Sequence, residues 1–534
     1  MDFILRNKII FFTLFTIFIV INFRIANNLG LYNDDWLFYS LGDQTFSEWS
    51  LRVWKGEGGI IRRHIVAPIY MVLHLIPVKI AYTISIFLSL ILFYLFFILF
   101  KKLILNNYFI KDVKELETNL LILIFTWYFF PFNIGGQFWI TAIIHTKICT
   151  ILYLLNIIFL IRKKYFLALI FLALSFNSYE IFFFLYLPIT LIFYFGKLIE
   201  KNIFKKYLIG SFIIQIFFLF DKIRPGNADH DISNINVVDL IIKSTANLGR
   251  FLWSIYQTIP TNLNINLKIF LCFIFIFGFY YLFKKLHLLK NKLFFYTICF
   301  LLFISLYLNA TVNTLGTYGY WGKGIFSRTM FVPSFLILFF LCMSIPILNK
   351  KISLYFSVLI FLISLSFFNT EIKNWENSAT IQEEIINSEL LTDKNNLLKN
   401  TKNLIFFMGP CYLNGVEIFN ATWDLNSAIR WKHPKLAKNN FLPIQDWKLS
   451  INKNKILSIH IFQFNLNEYK EIYYWNYFNN TLIKIKKKKF IKESADIFLG
   501  RRDCSIGIDE REKAKNTRKF VLDHIPNYLR QILQ

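Results

Sequence analysis

Acidic residues are scarce in this chain: 33 Asp and Glu stand against 59 Lys and Arg, a formal net charge of +26. Charged residues of both signs make up only 17% of the 534 positions while hydrophobic ones reach 56%, more than the usual globular mix, and membrane spans account for the excess. The basic residues form no single stripe; they sit in short clusters between apolar runs, which sets nucleic acid aside as a partner. Cysteine is sparse as well, six in all, with no CxxC pair and no metal-ligand spacing, so structural zinc is unsupported. Four of the six (Cys149, Cys272, Cys299, Cys342) fall in apolar runs, where a thiol behaves as a small hydrophobe.

What the chain does contain is a series of apolar runs. On the ~20-residue criterion for a span, candidates lie near 9–23, 81–100, 119–136, 138–161, 165–178, 180–196, 207–220, 268–283, 293–309, 329–348 and 352–368. Between them fall Lys101, Lys102, Lys111 and Lys114; Arg162, Lys163 and Lys164; Lys197, Lys201, Lys205 and Lys206; Lys284, Lys285, Lys290 and Lys292; and Lys350 and Lys351. Lys and Arg accumulate in cytoplasmic loops, and eleven spans with the N-terminus inside put every cluster there. No small-x-small cleavage site follows 9–23, so the first helix is expected to stay uncleaved. The stretch His64–Pro77, interrupted by Pro68 and Pro77, would invert all later loops if it crossed. It is read instead as a juxtamembrane helix at the outer interface. The same topology puts 133–137 and 177–180 at outer turns, and 221–267 and 309–328 in outer loops.

The predicted fold is an all-α polytopic membrane domain of about eleven helices over 1–368, with an outer loop at 31–80, followed by a small α+β extracytoplasmic domain over 369–534. Short β-like runs at 404–408, 456–464, 472–478 and 481–485 carry the second expectation. Cys411 and Cys504 lie in polar sequence there, and an oxidising compartment would allow them to pair. The Lys484–Lys489 run reads as a solvated or headgroup-facing patch.

The outer loop opens Gly30-Leu31-Tyr32-Asn33-Asp34-Asp35-Trp36, so two carboxylates sit close to the end of a span. Three readings stand: ligands of a divalent cation such as magnesium or manganese, a general base towards an acceptor hydroxyl, or caps of a helix. Arg62, Arg63 and His64 follow in the same loop, and planar guanidinium suits bidentate phosphate as well as lipid headgroups. Later outer ends add Gln137, His145, Glu180, Lys323 and Arg328, the last two again basic on the outer side. Eleven of the twelve Trp residues lie at or beyond outer ends, Trp36, Trp49 and Trp54 in one loop. Indole anchors helices at headgroups and also stacks on sugar faces.

An inside N-terminus, an outer loop opening on paired acids, a juxtamembrane helix, many spans and an outer tail together resemble the GT-C class of integral-membrane glycosyltransferases. In the lipid A aminoarabinose-transferase and protein O-mannosyltransferase branch an Asp-Glu pair is followed by an aromatic and then basic residues; Asp34-Asp35-Trp36 and Arg62-Arg63 occupy comparable places. The loop has no Asp-x-Asp and the chain no Trp-Trp-Asp, so protein N-glycosylation is unsupported. The resemblance implies transfer of a sugar from a polyprenyl-phosphate donor to a hydroxyl of a lipid or glycan acceptor, with inversion. It implies an outer face of a bacterial cytoplasmic membrane, the C-terminal domain being periplasmic, in cell-envelope glycan or lipid modification. Asp34 and Asp35 would be the catalytic acids, with Trp36, Arg62, Arg63, His64, Glu180, Lys323 and Arg328 holding substrate. A flippase or transporter of lipid-linked saccharide calls for polar residues at mid-membrane, and these spans are nearly uncharged there. A ligase or polymerase of another fold tends to carry its key loop late in the chain.

Overall fold

The computed structural model describes residues 8–32, 34–40, 45–54, 64–108, 113–223, 236–257, 292–315, 325–344, 347–348, 350–391, 398, 401–419, 422–443, 449–452, 455–458, 462–486 and 505–506. The chain is a mostly helical membrane protein with a small sheet region at its C-terminus. Among the described residues seven helices are long and apolar enough to cross a membrane: Lys8–Asn28, Val78–Asn107, Ile140–Ile161, Lys201–Leu219, Lys292–Thr314, Ser327–Ser344 and Lys351–Ile386. Tyr165–Ser178 and Tyr186–Phe195 are apolar but shorter, 14 and 10 residues. The run read as 119–136 is a helix of 16 residues, Val113–Tyr128, and Pro131 starts a fresh turn after it. The run 268–283 lies outside the described residues.

The bundle begins with α1 (Lys8–Asn28), an unbroken apolar run. Two short helices of the loop expected to lie outside follow, α2 (Asp34–Tyr39) and α3 (Phe46–Val53). The start of α3 is a capping box: Thr45 Oγ1 accepts from the Glu48 backbone N–H while the Glu48 carboxylate accepts from the Thr45 N–H. Next comes α4 (Ala67–Leu73), seven residues and roughly 10 Å at the helical rise. That is too short to cross a bilayer. Pro77 then starts α5 (Val78–Asn107), its ring barring any backward extension.

Beyond α5 lie α6 (Val113–Tyr128), the single turn α7 (Gly135–Phe138), α8 (Ile140–Ile161), α9 (Tyr165–Ser178), α10 (Tyr186–Phe195) and α11 (Lys201–Ile223). The outer loop expected at 221–267 contains an amphipathic helix, α12 (Val237–Gln257). Its polar residues Ser244, Asn247 and Ser254 face inward, with Asn247 Nδ2 donating to Thr314 Oγ1 at 2.7 Å, while Val237, Val238, Ile241 and Leu252 stay exposed. An apolar face turned outward is stable where the surroundings are lipid.

The last spans are α13 (Lys292–Leu315), α14 (Phe331–Ser344) and α15 (Lys350–Ile386). At 37 residues α15 is about 55 Å long, against ~30 Å of hydrocarbon core, so it runs well past the membrane. The boundary drawn at 368/369 therefore falls inside one continuous helix. Two sets of contacts explain why this polar half stays helical. Arg24 Nε donates to Glu376 Oε1 at 2.7 Å and Asn28 Nδ2 to the same oxygen at 3.0 Å, tying α1 to α15. Farther on, Ser378 Oγ donates to the Glu417 carbonyl at 2.6 Å and Gln382 Nε2 to that of Ile418 at 2.8 Å.

Those carbonyls belong to the C-terminal domain. Its main sheet has the order β4 (Asn440–Pro443), β1 (Leu404–Met408), β8 (Ile472–Asn476), β9 (Thr481–Ile485). Central β1 is parallel to both neighbours and its residues Leu404–Phe407 are fully buried, as a strand covered on both faces requires. Helix α16 (Thr422–Lys432) makes the crossover from β1 to β4. Between them β2 (Tyr412–Leu413) and β3 (Val416–Glu417) form a hairpin whose turn residues Asn414 and Gly415 have φ of 49° and 87°, the Asn-Gly pattern of such turns. A separate antiparallel meander comprises β5 (Leu449–Asn452), β6 (Lys455–Ser458) and β7 (Phe462–Asn465).

Cys411 is disulfide-bonded, whereas Cys149, Cys299 and Cys342 are free. The expected partner, Cys504, lies outside the described residues; it precedes β10 (Ser505–Ile506), in which Ser505 pairs with Tyr412. In denatured, unreduced protein, maleimide mass-tagging is expected to label Cys149, Cys299 and Cys342 but to reach Cys411 and Cys504 only after reduction. Labelling of Cys411 without reductant would refute the bridge.

Candidate functional site

Helix α2 brings the acid pair against the top of the bundle, and its two carboxylates end in different environments. Asp34, the first residue, is only partly buried; Asp35 is 0% exposed. Asp35 is a helix cap, but of a distant helix. Trp139 occupies the N-cap position of α8 and gives it no side-chain hydrogen bond. Asp35 supplies that bond: Oδ1 accepts from Thr141 N at 2.9 Å and Thr141 Oγ1 at 2.6 Å, and Oδ2 from Ile140 N at 3.3 Å. Oδ2 also accepts from Tyr32 N at 3.3 Å, which closes the loop's own turn. Orphan N–H groups at a helix start are matched by an acceptor and by negative charge.

Four donors occupy both oxygens, an arrangement that suits an anion's lone pairs and leaves no face for a metal. The fit to a cation at Asp35 is therefore poor. Among the described residues no three His, Cys, Asp or Glu side chains converge as a metal site. Burial pushes the Asp35 carboxyl up to about 7, against the pull of the hydrogen bonds from Thr141, Tyr32 and Ile140.

The hairpin before α8 carries the neighbouring elements. From Leu116 to Ile143 every residue is buried, so the turn expected at 133–137 is packed inside the protein. A Cβ on Gly136 would lie 2.8 Å from Asn133 Oδ1 and 3.1 Å from the Phe331 ring, which explains glycine there. The hairpin is held to the 3-10 turn Ile325–Met330, where Ser327 Oγ accepts from Gly135 N at 2.6 Å. Arg328 stacks its guanidinium 4.2 Å from the centre of the Trp139 ring. Trp139 immediately precedes the two N–H groups that Asp35 binds, so one indole separates a cation from the acid loop.

On its other side α2 packs against α16 of the C-terminal domain. Trp36 lies edge-on to Trp431 with ring centres 5.6 Å apart, and Tyr39 meets the same ring at 6.2 Å. Phe38 stacks on Tyr70 of α4 at 4.3 Å, and Tyr70 Oη bonds the His145 ring. His145 stacks in turn on Tyr179 at 4.9 Å.

The other expected site residues are distributed as follows. His64 packs its ring against Trp54 at 5.2 Å, next to Ile65, whose N–H donates to Asn177 Oδ1. Glu180 opens the 3-10 turn Glu180–Phe182. Arg62, Arg63 and Lys323 lie outside the described residues. Lys147, two residues beyond His145, is fully buried and donates to Ser85 Oγ at 2.8 Å and Ser89 Oγ at 2.7 Å across to α5.

Thr141, Trp139, Tyr70 and Trp431 are the residues that sequence reading missed. The first three are uncharged and sit in apolar runs, and nothing in their spacing marks them. Trp431 is separated from the acid loop by almost 400 residues.

The Asp35 proton gives a test. The folded protein holds it up to about pH 7 and an ordinary Asp releases it near 3.8. A raised carboxyl pKa adds stability that is whole below the lower value and is lost as pH rises through the upper one. Asp35→Asn lacks this titration, so the melting temperature of the wild type should fall relative to the variant between those pH values and run parallel above them. Parallel curves throughout would mean that Asp35 is not buried as described. No family model, curated protein or solved structure matches this chain, so its site is read from its own geometry.

Proposed function

We propose that the chain is a membrane glycosyltransferase of GT-C-like layout, with about eleven spans, the N-terminus cytoplasmic and the C-terminal domain outside. It moves a sugar from a polyprenyl phosphate to an acceptor hydroxyl at the outer face of the bacterial cytoplasmic membrane. The observation that carries this reading is the division of labour in the acid pair. Asp35 is buried and anchors the loop to α8, whereas its neighbour Asp34 is partly exposed at the head of the same helix and is the acid assigned here to chemistry.

The chemistry follows from what such a transfer needs. An acceptor oxygen attacks the anomeric carbon, its proton passes to the Asp34 carboxylate, and the bond from that carbon to the phosphate oxygen breaks. The electron pair leaves with the lipid phosphate, on the face opposite to attack, hence inversion. Developing negative charge on the leaving phosphate calls for cations fixed in advance. Arg328, braced on Trp139, is the described candidate, and Arg62, Arg63 and Lys323 are the outer basic residues that would join it. Disulfide-bonded Cys411 supports an extracytoplasmic domain, since such bonds persist outside the reducing cytosol.

A transporter would find use for the buried Lys147. Its ammonium is hydrogen-bonded to two serines of one helix, a fixed clasp between α8 and α5 rather than a site that exchanges partners.

The test is Asp34→Asn in folded, membrane-inserted protein. Loss of a positioned base is expected to lower transfer from polyprenyl-phosphate sugars roughly 10²–10⁴-fold. Arg328→Ala should lower the rate while Arg328→Lys restores part of it. Undiminished transfer by Asp34→Asn would refute the assignment of the base. A periplasmic reporter that is silent when fused after Ile386 would refute the topology.

A further inference from the structure

The open side of α2 consists of Asp34 and Leu37, both partly exposed and one helical turn apart, while the other four residues are buried. Phe38 stands one turn beyond Asp34 on the flank between Asp34 and Asp35; the reverse side, Trp36 and Tyr39, rests on Trp431. Phe38 stacks on the Tyr70 ring with centres 4.3 Å apart and planes 22° from parallel. Tyr70 is wholly buried, and its hydroxyl donates to the Thr141 carbonyl at 3.1 Å. Thr141 is also the residue whose N–H and Oγ1 bind Asp35. Both turns of α2 are thus tied to one residue of α8, the first through Asp35 and the last through Phe38 and Tyr70. A helix of six residues is not stable by itself, so these ties set its direction.

The Tyr70 hydroxyl has a single proton, which goes to the Thr141 carbonyl. Its bond to the His145 ring, with Nδ1 at 2.8 Å, therefore runs from an imidazole N–H to the hydroxyl oxygen. The imidazole is backed by Tyr179, stacked at 4.9 Å and 17° from parallel. Helix α4 is moored to the same end of α9, Ile65 N donating to Asn177 Oδ1 at 3.1 Å.

We propose that Tyr70 and His145 are positioning residues for the transfer step, fixing where the Asp34 carboxylate stands relative to the acceptor hydroxyl. The proposal rests on the transferase reading above. Burying a hydroxyl and an imidazole carries a desolvation cost that phenylalanine and leucine in the same two places would avoid. What the polar pair adds is direction. A ring stack alone lets Phe38 slide across its neighbour, whereas a Tyr70 ring pinned at Oη by Thr141 and His145 offers Phe38 one seat. Phe38 is a turn away from Asp34, so the seat of one sets the place of the other. A shift of ~1 Å at a catalytic group can cost on the order of 10²-fold in rate, which gives such a pin its value.

The experiment uses the full-length protein in total-lipid nanodiscs, with undecaprenyl-phosphate-linked glucose, mannose and arabinose as donor probes. Tyr70→Phe keeps the stack on Phe38 and loses the pin, so kcat should fall about tenfold with donor KM changed less than about twofold. The pH at which the rate is half-maximal should not move, because the base itself is intact. His145→Leu should match Tyr70→Phe, and His145→Gln, which still offers an N–H, should recover most of the rate. The double variant Tyr70→Phe, His145→Leu should be no slower than either single one, as expected of two residues that act as a unit. Without any substrate, amide hydrogen exchange over residues 34–40 should quicken about fivefold in Tyr70→Phe and in His145→Leu. An unchanged kcat in Tyr70→Phe, additive losses in the double variant or a displaced pH profile would overturn the positioning role; the last would make His145 a proton-transfer group in its own right. Unaltered exchange over 34–40 would refute the pin whatever the activity. Quickened exchange in the variants of a protein that transfers none of the three sugars would leave the pin standing and refute the transferase.

Discussion

A carboxylate that caps a helix more than a hundred residues away is the constraint on which this end of the bundle depends. Asp35 accepts from Thr141 and Ile140 at the start of α8 and from Tyr32 in its own turn, so one side chain fixes the loop, the helix start and their relative angle. A single N-cap is worth about 0.5–2 kcal/mol, but its positional effect is larger than its energy. Trp139 sits at that N-cap, Arg328 stacks on Trp139, and the aromatic face of α2 meets α16. Moving Asp35 would disturb the hairpin, the cation and the domain contact together.

The C-terminal domain is held with comparable economy. Helix α15 leaves the membrane without a break, is fastened to α1 by Arg24 and Glu376, and presents Ser378 and Gln382 to the strand-end carbonyls of Glu417 and Ile418. Tyr32 adds a further tie, its hydroxyl donating to the Trp375 carbonyl at 2.8 Å and its ring edge-on to that indole at 4.5 Å. The domain is thereby an extension of the last span, and α16 is brought against the acid loop as part of one packed body.

Much of this was legible in the sequence, for reasons that differ by element. Spans announce themselves because lipid demands long uncharged runs; Lys8–Asn28 and Val78–Asn107 contain the runs 9–23 and 81–100, and each extends beyond its run into more polar sequence at the C-terminal end. The shortness of Ala67–Leu73 followed from Pro68 and Pro77, and the strands Leu404–Met408 and Thr481–Ile485 from their β-branched and aromatic runs. The helix Tyr186–Phe195 is shorter than the apolar run 180–196 that contains it, because hydropathy reports composition over a window and not where a backbone turns. Amphipathic α12 was hidden because its periodicity lies within a stretch already assigned to a loop. The partner of Asp35 was beyond reach: a cap whose acceptor lies outside the helix leaves no local trace, and Thr141 is an ordinary residue in an apolar run.

The scarcity of acid in this chain sharpens the reading of what remains. Described carboxylates around the bundle have evident structural employment: Glu376 with Arg24, Glu117 with Lys101 at 2.6 Å, Glu48 in a capping box, Asp35 on α8. In a protein with a net charge of +26 an acid beside the membrane is readily absorbed by a basic partner or a helix end. Of the two adjacent acids at the start of α2, Asp35 is turned away to α8, where it accepts three of its four hydrogen bonds, and Asp34 stays partly exposed. The same contacts that exhaust Asp35 make the turn rigid and carry Asp34 with it. A general base must be held within hydrogen-bond reach of the proton it takes, and a neighbour buried and bonded on both oxygens is an effective way to hold it.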